Sequence, residues 1–150
     1  MARIGYFCCK IFPVARILCI DYGKKRSGIA VTDPLQIIAS GLTTVETGAL
    51  IFWLKQYQKT EELSLVLVGY PLALDGSDTD ATPLVEKFLK NFKMVFPALA
   101  VETVDEQFTS KMATDAMLAM GMKKKQRQEK GNIDEISATI MLQEYLESRS

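Results

Sequence analysis

The chain alternates between short apolar runs and longer stretches with helical spacing, and the two periods separate strands from helices. Ile17 to Ile20 is a compact apolar run ending on Asp21. Gly23 and the basic cluster Lys24, Lys25 and Arg26 follow, and a second run, Ser27 to Thr32, stops at Asp33-Pro34. Both runs are bounded by turn formers and rich in Ile and Val, so they predict two strands. So few residues lie between them that an antiparallel hairpin is expected, with the basic cluster at its turn. Ile37 to Ala39 and Leu42 to Val45 keep the β-branched character, and a third strand is expected over Gly41 to Glu46.

The period then changes. Leu50, Trp53, Leu54 and Tyr57 recur at helical spacing with Lys55, Gln56 and Lys59 on the other side, which predicts an amphipathic helix with its aromatics in the core. Leu63 to Val68 is a nearly continuous apolar run before Gly69-Tyr70-Pro71, the pattern of a strand buried on both faces in a parallel part of a sheet. A loop with Asp75-Gly76-Ser77 as its turn leads to a second helix through Leu84, Val85, Phe88, Leu89 and Phe92. Thr82 is its expected N-cap and Pro83 its first helical residue. Leu99 to Val104 reads as a further strand running into Asp105-Glu106. A third helix is expected from Thr109 or Ser110. After the basic stretch 121–131, a last helix is expected with Asn132 as N-cap, Asp134 in its first turn and Glu135 completing a capping-box pair. A meander followed by strand–helix units predicts an α/β fold, a mixed five-stranded sheet with helices on both faces.

Composition narrows the chemistry. With 150 residues, 48% hydrophobic and 24% charged, the chain suits one soluble domain with a full core. Met1-Ala2-Arg3-Ile4 is echoed by Val14-Ala15-Arg16-Ile17, so residues 1–13 read as an extension and 14–150 as the domain proper. The formal net charge is zero, which argues against a generic polyanion-coating protein but leaves local patches open. There is no histidine, so imidazole bases and imidazole-built zinc sites are excluded. Cys8, Cys9 and Cys19 form no spaced disulfide framework, which fits a reducing, cytoplasmic setting. No apolar stretch reaches membrane-spanning length, and Lys10 interrupts the apolar start, so neither membrane partner nor signal peptide is expected.

Acids stand at three separated points: Asp21 after the first strand, Asp105-Glu106 after the last, and Asp134 at the start of the final helix. Groups at the carboxyl ends of parallel strands line the functional crevice of open α/β sheets. An all-oxygen set suits Mg²⁺ or Mn²⁺, and two such ions cleave phosphodiesters. Taken singly, each acid has a structural alternative. Asp21 can cap its turn, Asp134 can complement a helix dipole, and Asp105 and Glu106 can solvate a strand end. Alternation gives Asp105 and Glu106 opposite faces, so one of the two is expected at the site. Lys24, Lys25 and Arg26 flank the first acid, and Lys123, Lys124, Lys125 and Arg127 precede the last. Either group can grip a phosphate backbone or simply be solvated.

Ile20-Asp21-Tyr22-Gly23 with Arg26 and Gly28, Val68-Gly69-Tyr70-Pro71, Val104-Asp105-Glu106 with Thr109-Ser110, and Ile133-Asp134 with Ala138 resemble the motifs of the YqgF (RuvX) family, in order and over nearly all of the chain from Arg16 onward. The resemblance implies an RNase H-like fold and a nuclease maturing the 5′ end of pre-16S ribosomal RNA, or acting on four-way DNA junctions. By motif it implies Asp21, Glu106 (or Asp105) and Asp134 as the acidic metal-binding set. Gln107 departs from the family's usual Arg after the acidic pair, which removes a bidentate phosphate contact and gives weight to a non-catalytic nucleic-acid-binding, ribosome-assembly role. An actin-like phosphotransferase shares a related core, but the chain is short for its two-lobed cleft. The expected partner is nucleic acid, bound by a monomer or, if junctions are cut symmetrically, a homodimer.

Overall fold

The computed structural model describes residues 15–70, 82–105, 121 and 130–149. Strands β1 (Arg16–Asp21), β2 (Arg26–Thr32) and β3 (Ala39–Glu46) form the meander. A single 3-10 turn leads into α1 (Leu50–Gln58), and β4 (Leu63–Tyr70), α2 (Thr82–Val95), β5 (Ala100–Asp105) and α3 (Lys130–Arg149) complete the described elements. The sheet has five strands in the order β3-β2-β1-β4-β5. β1 pairs antiparallel with β2 and parallel with β4, and β4 pairs parallel with β5. The mixed sheet of the sequence reading is therefore the observed one. The helix expected from Thr109 or Ser110 lies outside the described residues.

Alternation along β1 sorts the core into two layers. Leu18 and Ile20 join Ile29, Val31, Val66 and Val68 under Leu50 and Leu54 of α1 and Val85, Phe88 and Phe92 of α2. Ile17 and Cys19 join Ala30 and Leu67 under Ala138, Met141, Leu142 and Leu146 of α3. Residues 17–20 are at most 1% exposed, so both faces of β1 are sealed. Each such aliphatic side chain contributes about 1.5–3 kcal/mol over the exposed state. That burial is why a run of four apolar residues holds the centre of the sheet. Trp53 and Tyr57 stack at 5.0 Å and pack on the first layer, as core residues.

Two element starts differ from the expected ones. β3 starts at Ala39, two residues before the expected Gly41, and Ile37 and Ile38 before it are 61% and 62% exposed in the β2–β3 loop. Their amides, with that of Leu35, donate to the Asp33 carboxylate at 2.8–3.1 Å, so they leave the ladder and β3 begins at Ala39. α3 begins at Lys130, so Asn132 is inside the helix and not its cap, and Asp134 is past the first turn. Helical backbone runs through Gly131, where an intrinsic cost of about 1 kcal/mol made a boundary plausible from sequence.

Candidate active site

Asp21 is the last residue of β1, half-buried at the carboxyl edge of the sheet. Its antiparallel partner is Gly28. Directly opposed residues share a face and sit about 4.5–5.5 Å apart between Cα atoms. That face is the α3 face, because Ile17 and Cys19, of the same parity, and Ala30, of the same parity as Gly28, all pack beneath α3. A Cβ built on Gly28 would collide with the carbonyl of Asp134. Gly28 is therefore the seat on which the start of α3 rests. It sets the backbone of Asp134 over the residue that pairs with Asp21, across 113 residues of chain. Sequence reading placed both acids at one edge, but it did not identify Gly28 as the contact between them. The signal was available: a glycine inside a strand pattern marks close backbone approach.

β5 ends at the same edge. Gly69 of β4 pairs with Val104, and Tyr70 with Asp105. Two strand spacings separate β5 from β1, about 10 Å. Val104 packs against the α3-side layer, sharing its face with Asp21. Asp105 is the last residue of β5. Glu106, Gln107 and the basic residues Lys123, Lys124, Lys125 and Arg127 lie outside the described residues. Among the described residues no group of three or more acids, cysteines or histidines is gathered at metal-binding distance.

The basic turn is built rather than loose. The Thr47 hydroxyl donates to the Gly23 carbonyl at 2.6 Å and accepts from the Ser27 hydroxyl at 3.0 Å, and the Thr47 amide donates to the Lys25 carbonyl at 2.9 Å. One residue after β3 thus ties down both ends of the β1–β2 turn. Lys24, Lys25 and Arg26 project from it, exposed, next to Asp21. Thr47 carried no sequence signal, since its contacts cross the meander. Tyr22 turns to the other face from Asp21 and sets its ring 4.9 Å from that of Phe88. Burial pushes its phenol above the usual tyrosine range, so it is neutral at physiological pH.

Comparison with known proteins places these features in a wider set. The family model described as "RuvX: Holliday junction resolvase" matches residues 15–148. A relative from Flavobacterium psychrophilum, named "Putative pre-16S rRNA nuclease", is 55% identical over 131 residues, covering 87% of this chain and 96% of its own. One of the same name from Flavobacterium johnsoniae is 55% identical over 134 residues, covering 89% and 97%. The structure of T. thermophilus RuvC in complex with a Holliday junction superposes with a TM-score of 0.55 at 15% identity, over 90% of this chain and 95% of that one. At that identity the likeness shows the fold alone, an RNase H-like one.

Proposed function

The chain belongs to the RuvX family, and from that premise we propose that it is a metal-dependent nuclease acting on the precursor of 16S ribosomal RNA. The observation that carries the reading is the junction of Asp21, Gly28 and Asp134: Gly28 pairs with Asp21 and carries the Asp134 backbone, so two acidic residues from distant parts of the chain come to one edge of the sheet. The substrate comes from the names of relatives 55% identical over nearly their whole length.

Asp21, Asp134 and Glu106 would hold Mg²⁺ or Mn²⁺, with Asp105 as the alternative to Glu106. The donor chemistry fits, because the acids are oxygen ligands, the chain has no histidine, and Cys19 is sealed beneath α3. When bound, the ions supply an activated water and charge stabilisation at the leaving oxygen. The chain's own residues provide positioning. A strand end and a helix carry the two acidic residues, so neither hangs on a flexible linker. The turn tied by Thr47 presents Lys24, Lys25 and Arg26 to the phosphate backbone, and Lys123, Lys124, Lys125 and Arg127 are assigned the same role. We place the activity in the cytoplasm, in the domain spanning residues 14–150; among the described residues no helix is long and apolar enough to cross a membrane.

A four-way DNA junction is the second reading, favoured by the family model's description. Purified protein with Mn²⁺ or Mg²⁺ is offered labelled precursor RNA and a labelled junction side by side. Cutting of the RNA and not the junction is expected. Cutting of the junction alone transfers the function to DNA. Cutting of neither, with binding retained in EDTA, overturns the nuclease in favour of a nucleic-acid-binding module.

A further inference from the structure

On the opposite face of the same edge lies an open groove of about 500 Å³, within the roughly 300–1,000 Å³ of small-ligand pockets. Tyr22 and Thr47 form its wall nearest the acids, and Phe88, Lys87, Asn91 and Met94 of α2 form the other. Among the described residues, no acidic one lines it. Met94, 81% exposed, and Leu84, 37% exposed, leave apolar surface beside the ammonium of Lys87 and the amide of Asn91. The groove is continuous with the proposed catalytic edge in two ways. Tyr22 directly follows Asp21, and Thr47, a wall residue, is the residue that ties down the turn carrying Lys24, Lys25 and Arg26.

An aromatic and apolar floor bordered by the one ammonium of Lys87, with an amide able to donate and accept, is the chemistry that takes an unpaired base and its phosphate. A duplex offers no free base face to such a groove, whereas a single strand does. We propose that this groove binds the single-stranded flank of the nucleic-acid substrate as it leaves the site at Asp21. The proposal rests on the nuclease reading for the direction of the strand, and on the groove's own charge and lining for binding.

The test is binding without cleavage. A fluorescein-labelled oligouridylate a dozen nucleotides long, and its oligothymidylate counterpart, are titrated into the full chain in EDTA over a range of salt by fluorescence anisotropy. Lys87 and Asn91 are exposed on α2, so Lys87→Gln with Asn91→Ala leaves the core intact. The double variant is expected to bind about tenfold more weakly, with a salt slope shallower by about 0.7 for the one lost phosphate contact. A purely structural role would leave that slope unmoved. An equal loss with both oligonucleotides assigns the groove to bases and phosphates in general. A loss with the RNA alone assigns it to ribose recognition as well. A wild-type chain that binds neither oligonucleotide, or a variant matching wild type in affinity and slope, overturns the groove. Cleavage is scored separately: a protein that binds through this groove but cuts nothing contradicts the nuclease and leaves the groove standing.

Discussion

At Gly28 a methyl group would occupy the space now taken by the Asp134 carbonyl. Alanine elsewhere in a strand usually stabilises by restricting the unfolded chain. Here the helix would have to lift off the sheet, and overpacking of this kind costs about 1–3 kcal/mol. Gly28→Ala is expected to lower the urea midpoint and to reduce cleavage more than the stability loss alone explains, because it moves Asp134 away from Asp21. Gly48→Ala is the control, since a Cβ there meets nothing within 4 Å; its midpoint is expected to be unchanged or slightly raised. Equal midpoints for the two variants would show that α3 is not seated on Gly28.

The β2–β3 loop shows how much one carboxylate can organise. Asp33 accepts from the amides of Ile38, Ile37 and Leu35, and these hydrogen bonds, Ile38 first, hold its pKa below the ordinary carboxylate range. Gln36 takes a left-handed φ of 58°, costly for a residue with a side chain. Its amide offsets that strain by donating to the Ala15 carbonyl and the Ser64 hydroxyl and accepting from Arg149. Because the folded pKa of Asp33 is depressed, its stabilisation is full above the unfolded value of about 3.9 and is lost as pH falls through the folded one. The melting temperatures of wild type and Asp33→Ala, followed against pH, are therefore expected to differ at neutral pH and converge in acid; a gap that stays constant contradicts this role. The turn residues of this loop were legible in the sequence, but its geometry was not. The side-chain pattern marked Ile37 and Ile38 only as apolar and β-branched, ahead of a strand expected from Gly41. The competing acceptor, Asp33, acts through backbone amides that no pattern of side chains reveals. Asn132 was read as a cap for a similar reason: its residue type favours caps, while the helix continues upstream through Gly131.

For the molecule as a whole, the order of elements and the mixed sheet could be read from apolar periods alone, since each strand and helix must bury one or two faces. The pairing of β1 with both β2 and β4, which makes Asp21 central, follows from topology and not from any local run. The carboxyl edge was legible because strand ends and acids coincide there. The contact that joins the acids was not, because Gly28 and Asp134 meet through backbone atoms across most of the chain. The tie from Thr47 and the groove beside Tyr22 arise from the folding of the meander against α2, and were equally invisible.

The most direct measurement is cleavage of precursor RNA in Mg²⁺ or Mn²⁺ by Asp21→Asn and, separately, by Asp134→Asn, with circular dichroism confirming the fold. If the two carboxylates form one metal-holding site, each variant loses several kcal/mol of transition-state stabilisation, about a thousandfold in rate, while keeping its fold. Wild-type cleavage by either variant would contradict a site built from both.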